Sequence, residues 1–177
     1  MKLYHGSNTE IEVIDLTKGR KGKDFGRGFY LSEDYKQAIR MSEIVVRKEN
    51  SGVPCVTCFD FDEVAFKHLR VKQFEGYTKE WAEFVLANRK NILDEQIHSY
   101  DIVIGPIADD AVGVQIRQLS RGYISFDVFL ENIKYITPTI QYFFGTERSI
   151  KYLKKLWLPQ INNSWLNAYA KISSQCW

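Results

Sequence analysis

The stretch that most constrains the fold of this chain is Asp-Phe-Gly-Arg-Gly-Phe-Tyr-Leu-Ser, at residues 24–32. Gly26 and Gly28 allow a sharp backbone turn and the close approach of another group. After the turn, the apolar neighbours of Tyr30 are predicted to point to one face of a strand and Tyr30 to the other. Ser32 suits an N-cap, and the acidic residues after it favour the start of a helix. The stretch therefore predicts a loop, a strand and a helix in direct succession.

Length and composition favour one folded domain in the cytoplasm. The chain has 177 residues, of which 45% are hydrophobic and 14% aromatic, so it can bury one large core and does not resemble a disordered chain. No apolar run is long enough to cross a bilayer, and no signal-like segment begins the sequence. Three cysteines cannot all pair with one another, which suits a reducing compartment. We therefore expect no membrane partner.

Hydrophobic periodicity predicts a mixture of strands and helices. Short β-forming runs end at Gly or Pro, whereas other segments repeat apolar residues at helical spacing after Ser, Thr or Asp. The predicted strands are 3–7, 29–31, 55–62, 101–107 and 139–144. The predicted helices are 34–47, 78–89, 109–121, 125–133, 147–158 and 160–177.

Cys55 and Cys58 have the spacing of a metal or redox pair. In a strand, a separation of three residues places the two thiols on opposite faces, and no second pair completes a four-ligand site. We interpret both cysteines as packing residues, and the sequence predicts no metal.

Two segments taken together resemble the catalytic core of ADP-ribosyltransferases. Tyr-His-Gly-Ser at 4–7, followed by Phe-Gly-Arg-Gly-Phe-Tyr at 25–30 and a helix, is similar to the diphtheria-toxin and poly-ADP-ribose-polymerase branch, which shares a His, Tyr, Glu triad. Over about 2–158 the chain resembles small bacterial domains of that superfamily, some of them in toxin–antitoxin pairs. The resemblance implies an α+β domain over 1–158, in which a split, mainly antiparallel sheet forms an NAD cleft with helices outside. Residues 159–177 would form a C-terminal extension.

The resemblance also assigns roles in NAD binding. His5 would bind a hydroxyl of the adenosine ribose, the backbone of Gly6 would bind the nicotinamide carboxamide, and Tyr30 would stack on the nicotinamide ring. Met41 stands where many relatives carry a second aromatic residue, and its sulfur can cover a ring face. On residue type alone, a histidine at the end of a strand, such as His5, is more often a structural residue than a ligand, and Tyr30 could merely pack. The implied NAD-binding set is His5, Gly6, Ser7, Arg27, Gly28, Tyr30 and Met41.

The third position of the triad is Gln141 instead of glutamate, so the implied catalytic set is His5, Tyr30 and Gln141. Glutamine can accept a hydrogen bond from a ribose hydroxyl. It carries no negative charge beside an oxocarbenium-like state and cannot take a proton from an acceptor. A general base contributes on the order of 100- to 10,000-fold, so this chain must lose that factor, obtain it elsewhere, or use an acceptor that needs little activation. Single transfer is expected instead of polymer formation.

Several charged residues are secondary candidates. The basic run at 18–23 is either a solvated, mobile loop or a neighbour of a phosphate-bearing ligand. Asp109 and Asp110 are explained as helix caps, and together with Glu147 they are the carboxylates that could replace the missing acid. Arg89 lies in a stretch that similar bacterial domains share. The secondary set is Arg20, Lys23, Arg89, Asp109, Asp110 and Glu147.

The sequence therefore predicts a mono-ADP-ribosyltransferase that uses NAD as a substrate and no metal. Its acceptor would be a protein or a nucleic acid, and the resemblance implies a toxin with an antitoxin protein as partner. Two alternatives stay open because of Gln141: a catalytically weakened NAD-binding module, and an NAD glycohydrolase that releases ADP-ribose and nicotinamide.

Overall fold

The computed structural model describes residues 1–91, 93, 96–108 and 110–157, without the side chain of Asp110. These residues form one seven-stranded sheet and five α-helices. The strands are β1 Lys2–Ser7, β2 Phe29–Ser32, β3 Cys55–Phe61, β4 Val71–Gln73, β5 Ile102–Pro106, β6 Ile140–Phe144 and β7 Leu153–Leu156. The helices are α1 Tyr35–Glu49, α2 Lys79–Lys90, α3 Asp110–Ser120, α4 Phe126–Ile133 and α5 Glu147–Ile150. The predicted α+β class is confirmed.

The sheet is nearly divided between β1 and β2. Its strand order is β4-β5-β6-β2-β1-β3-β7, and all neighbours are antiparallel except β4 and β5. The ladder between β1 and β3 runs along the whole of β1, whereas β1 and β2 pair only at Tyr4 opposite Ser32. Two half-sheets, β4-β5-β6-β2 and β1-β3-β7, are therefore joined at a single residue pair.

Each face of the sheet carries its own hydrophobic cluster. On the helical face, Phe25 and Phe143 pack with Trp81 of α2, Ile116 of α3 and Phe129 of α4. The loop face is built around the apolar residues of β1, β2 and β3. It is covered by the segment 11–16, the short 3-10 helix Glu63–Lys67 and α5, and its buried members include Leu3, Phe29, Leu31, Phe59, Ala65 and Phe144. The predicted alternation along β2 is confirmed, because Phe29 and Leu31 belong to the loop face and Tyr30 packs on the helical face.

Helix α1 lies directly on β1 because residue 6 is glycine. A Cβ atom at Gly6 would lie 1.9 Å from the carbonyl oxygen of Ala38 and 2.8 Å from the backbone nitrogen of Ser42. Both are backbone atoms of α1, which cannot move aside as a flexible side chain can. Gly6 therefore fixes how closely the first helix approaches the first strand.

The predicted N-cap at Ser32 is wrong. Ser32 is still part of β2, where its Oγ donates to the carbonyl of Ile140 and accepts from the backbone N–H of Asp34, each at 3.1 Å. Asp34 caps α1, and its carboxylate accepts from the backbone N–H of Lys36 at 2.8 Å. The helices predicted to begin at Thr78 and Ser125 are confirmed, and these two residues are their N-caps.

The predicted helix at 147–158 is also wrong. Thr146 begins only the single turn α5, and Leu153–Leu156 then forms β7 against β3, with Leu153 opposite Phe61 and Leu156 opposite Cys58. So short an apolar pattern fits either a helix or a strand, and pairing with the open edge of β3 decides the outcome. The predicted helix at 160–177 lies outside the described residues.

None of the helices within the described ranges is long and apolar enough to cross a membrane.

Candidate functional site

The division between β1 and β2 places His5 beside Tyr30. His5 Nδ1 lies 2.7 Å from the carbonyl oxygen of Tyr30. A carbonyl only accepts hydrogen bonds, so Nδ1 carries the proton and donates it. The imidazole also stacks on Phe29, with 4.5 Å between ring centroids. A side-chain N–H thus bonds to β2 just beyond the point where the backbone ladder stops.

His5 is held in its neutral form with one defined tautomer. Burial lowers the pKa of His5, and the hydrogen bond to Tyr30 opposes this shift only in part. In a neutral imidazole with Nδ1 protonated, Nε2 carries the lone pair and acts as an acceptor. His5 is therefore prepared to receive a hydrogen bond from a hydroxyl group.

The backbone of Gly6 faces the gap between the half-sheets. Met1 and Phe61 exchange two backbone hydrogen bonds of 2.7 Å, so the odd-numbered residues of this strand direct their N–H and C=O groups toward β3. Gly6 is even-numbered and therefore directs its N–H and C=O toward β2. The paired position on that side is Tyr4, two residues earlier. Gly6 therefore presents a donor and an acceptor at the gap.

Tyr30 uses its hydroxyl to hold the glycine turn. The hydroxyl donates to the carbonyl of Gly26 at 2.6 Å and accepts from the backbone N–H of Phe25 at 3.1 Å. The ring packs against Phe143, with 5.2 Å between centroids, and the residue as a whole is partly buried. Burial raises the pKa of Tyr30 well above its usual value, so the phenol stays protonated. The ring, and not the hydroxyl, is the part of Tyr30 that a ligand could contact.

His5 and Tyr30 lie on neighbouring strands but on opposite faces of the sheet. His5 stacks on Phe29 on the loop face, whereas Tyr30 packs against Phe143 on the helical face. A ligand that touches both side chains has to pass through the gap between β1 and β2. The gap itself is thus the central feature of the candidate site.

Gln141 shares the helical face with Tyr30. It lies two residues from Phe143, the cross-strand partner of Tyr30. Its Nε2 donates to Asp24 Oδ2 at 3.1 Å and to the carbonyl of Pro106 at 3.3 Å. Both partners are acceptors, which fixes the amide nitrogen there and turns Oε1 the other way. Gln141 is 8% exposed.

Asp24 joins Gln141 to α2 and to the end of β5. Arg89 donates to Asp24 Oδ1 through Nε at 2.8 Å and Nη2 at 2.6 Å, and the backbone N–H of Ala108 donates to Oδ2 at 3.0 Å. Arg89 also donates to the carbonyl of Ala108 at 2.9 Å. Asp24 is a site residue that was not predicted from the sequence. The available signal was an acidic residue directly before the glycine turn, with an arginine candidate on a later helix.

Gly28, the second glycine of the turn, is required because there is no room for a side chain. A Cβ at Gly28 would lie 2.4 Å from the ring of Phe143 and 2.6 Å from the carbonyl oxygen of Phe144. Arg27 is exposed, and its guanidinium donates to the carbonyl of Thr17. Glycine is therefore needed at position 28 because the turn packs directly on β6. Arg27 connects the turn to Thr17, the residue before the basic run at 18–23.

Other predicted residues lie outside the cluster of Asp24, Arg89 and Gln141. Arg20 pairs with Glu49 at the end of α1, and Lys23 is exposed. Glu147 is exposed at the start of α5. It follows the C-terminal end of β6, whereas Gln141 lies near the N-terminal end of that strand. The remaining predicted positions are Ser7, whose hydroxyl lies 3.4 Å from Asn8 Oδ1, Met41, which is partly buried on α1, Asp110, which begins α3, and Asp109, which lies outside the described residues.

A cavity of about 280 Å³ lies on the other side of the glycine turn. Gly26, Arg27, Asn88 and Gly145 are among its lining residues, whereas His5, Tyr30 and Gln141 are not. Only Arg27 of the predicted NAD-binding set therefore borders this cavity.

The two strand cysteines are opposite different residues of β1, Cys55 opposite Ser7 and Cys58 opposite Tyr4. Their predicted placement on opposite faces is confirmed, and both are free thiols. Within the part of the chain that the structure describes, no group of three or more His, Cys, Asp or Glu residues could hold a metal ion.

The fold and the site define an α+β protein whose sheet is almost divided, with a neutral histidine at the division and a charged cluster beside it. Residues 1–155 match the model of a family described as Protein of unknown function (DUF3990). This match covers most of the chain, so the protein belongs to that family. No curated protein matches the chain.

Proposed function

We propose that the protein is a mono-ADP-ribosyltransferase that uses NAD as its substrate. The observation that carries this proposal is the 2.7 Å hydrogen bond from His5 Nδ1 to the carbonyl of Tyr30, at the gap between the half-sheets. It orients a neutral imidazole with Nε2 as an acceptor, beside the outward-facing backbone of Gly6. A hydroxyl and a carboxamide are the groups that these two features would bind.

NAD offers both groups. In this proposal His5 Nε2 accepts from a hydroxyl of the adenosine ribose, and the N–H and C=O of Gly6 bind the nicotinamide carboxamide. The Tyr30 ring supports the nicotinamide ring, a contact that adds about 0.5–1.5 kcal/mol beyond burial. Met41 precedes Ser42, whose backbone nitrogen would lie 2.8 Å from a Cβ at Gly6, and in this proposal Met41 covers the same ligand from α1.

The transfer step breaks one bond and forms one. The bond between ribose C1′ and the nicotinamide nitrogen breaks, and its electron pair stays with the nitrogen as neutral nicotinamide leaves. A lone pair of the acceptor forms the new bond to C1′, and any proton on the acceptor passes to water. Gln141 Oε1 accepts a hydrogen bond from a ribose hydroxyl and holds the sugar during this exchange.

The missing general base limits the acceptor. A positioned base contributes on the order of 100- to 10,000-fold, and Gln141 cannot act as one. A protein side chain or nucleic-acid base that is nucleophilic without losing a proton is therefore the favoured acceptor. Restraint of such an enzyme by an antitoxin protein is part of the same proposal.

Incubation with labelled NAD and cell lysate tests the proposal. Separate digestion of the products with protease and nuclease then identifies the acceptor class. We expect labelled macromolecule with the wild type, loss of label with His5→Ala, and full label with the matched exposed control His68→Ala. Measurable NAD binding without label in any lysate would argue against transfer.

The neutral amide at Gln141 favours a second candidate, a binding module that keeps the NAD site but has lost catalysis. Calorimetry with NAD and with nicotinamide separates the two functions. Binding without release of nicotinamide favours the module, whereas release of nicotinamide without labelled macromolecule favours an NAD glycohydrolase.

A further inference from the structure

Asp24 is the most heavily bonded acidic side chain of the site. Its two oxygens receive four donors: Nε and Nη2 of Arg89, the backbone N–H of Ala108, and Nε2 of Gln141. Asp24 is only 8% exposed. A buried carboxylate needs such partners, because an unpaired charge in this position would bear the full desolvation penalty of a buried ion.

These bonds determine which way the amide of Gln141 points. Asp24 and Pro106 offer only acceptors to this side chain, so a rotation that exchanged Nε2 and Oε1 would place an oxygen against two oxygens. Among the described residues, no fully buried side-chain oxygen lacks a hydrogen-bond partner. Since the bonds of Gln141 are made by its nitrogen, Oε1 reaches solvent on the side away from Asp24.

We propose that Asp24, held by Arg89, is a positioning residue that keeps Gln141 Oε1 directed toward the substrate. This role rests on the proposed function, because the substrate hydroxyl that Oε1 would receive belongs to NAD. Asp24 and Gln141 then act as a pair: one carries the charge, and the other presents a neutral acceptor. The charge of Asp24 is balanced by Arg89, so the pair orients the sugar without serving as a base.

The pairing explains why glutamate does not fit at position 141 of this chain. A glutamate there would bring a second carboxylate to about the 3.1 Å that now separates Nε2 from Asp24 Oδ2. Two carboxylates at that distance cannot both stay ionised. A carboxylate at position 24 therefore requires a neutral side chain at position 141.

The first test reads the orientation of the amide and needs no NAD chemistry. NMR of the wild-type protein labelled with nitrogen-15 measures exchange of the Gln141 Nε2 protons with water. We expect exchange at least about tenfold slower than for the exposed Gln73, because hydrogen bonds to charged groups are the stronger ones. Equal exchange rates for Gln141 and Gln73 in the wild type would overturn the positioning role.

The second test replaces the carboxylate. Asp24→Asn replaces the charged acceptor of Gln141 with a neutral amide, so the Gln141 protons should exchange at least about threefold faster than in the wild type. The bond to the carbonyl of Pro106 should keep part of their protection. The matched control Asp127→Asn removes the same charge from an exposed position on α4 and should leave the Gln141 signal unchanged. An unaltered signal in folded Asp24→Asn would contradict the role of Asp24.

The third test measures nicotinamide release. Asp24→Asn should lower kcat about 10- to 100-fold with a smaller change in KM, and Gln141→Glu should also lose activity. The double variant, which exchanges the charged and neutral groups, should lose at least about tenfold less than the product of the single losses. Purely multiplicative losses would overturn the pairing.

The outcomes distinguish this role from the proposed function. A wild type that never releases nicotinamide refutes the activity, while the exchange rates of Gln141 still decide whether Asp24 orients it. If Asp24→Asn does not fold, equal exchange of Gln141 and Gln73 in the wild type would still overturn the role.

Discussion

The two sides of the candidate site are built in different ways. On one side, His5 and Gly6 are adjacent in sequence, and the site uses a neutral imidazole and backbone groups. On the other side, Asp24, Arg89 and Gln141 come from a loop, a helix and a strand, and a buried charge holds them together. The first side is contiguous in sequence, and it depends on one hydrogen bond to Tyr30 and on the close approach of α1 to Gly6. The second side exists only when the whole sheet and α2 are assembled. Single substitutions there should therefore lower the free energy of unfolding more than substitutions on the first side.

The largest expected effect comes from removing the cation of the charged side. Arg89→Met leaves Asp24 buried with one fewer positive partner, and we expect the free energy of unfolding to fall by about 3 kcal/mol. Urea denaturation measures it, with Arg117→Met on the exposed surface of α3 as control. A loss similar to that of the control would mean that the charged side is not a stabilising cluster.

The neutral side is most sensitive at its glycine. Gly6→Ala brings a methyl group to 1.9 Å from the carbonyl oxygen of Ala38, which should lower the free energy of unfolding by about 2 kcal/mol through overpacking. Thermal denaturation compares it with Gly76→Ala, where a Cβ would meet nothing within 4 Å. If both variants melt together, α1 can shift, and the close approach does not depend on Gly6.

The smallest expected effect concerns the proton on His5. Burial lowers its pKa in the folded protein, so the unfolded chain binds more protons as the pH falls below about 6.5, the ordinary histidine value. The contribution of neutral His5 to stability is therefore complete above that pH and is lost as the pH falls toward the lower folded pKa.

His5→Asn keeps an N–H donor for the Tyr30 carbonyl but cannot titrate. We expect the free energy of unfolding to fall less between about pH 7 and pH 5 in this variant than in the wild type. Urea denaturation at several pH values measures the difference. His98, whose pKa burial also lowers, should keep the remaining dependence. An identical pH dependence in both proteins would show that His5 is solvated or already charged.

Several features of the fold that depend on residues close together in sequence were predicted correctly. The alternation around Tyr30 placed its two neighbours together on one face of the strand. The helix starts at Thr78 and Ser125 were predicted correctly because capping involves residues three apart. The strand Leu153–Leu156 was predicted as helix, since a four-residue pattern is ambiguous until the edge of β3 pairs with it.

The sequence by itself indicated most of the elements and the glycine turn, because strand alternation and glycine conformation act within a few residues. The candidates His5, Tyr30 and Gln141 came from its resemblance to ADP-ribosyltransferases. Only the tertiary structure decided that His5 and Tyr30 face opposite sides of a nearly divided sheet. It also brought Asp24 into a hydrogen bond with the amide of Gln141, which lies 117 positions away in the chain. Hydrogen bonds between such distant residues form only after the strands and helices have packed, and no spacing along the chain encodes them.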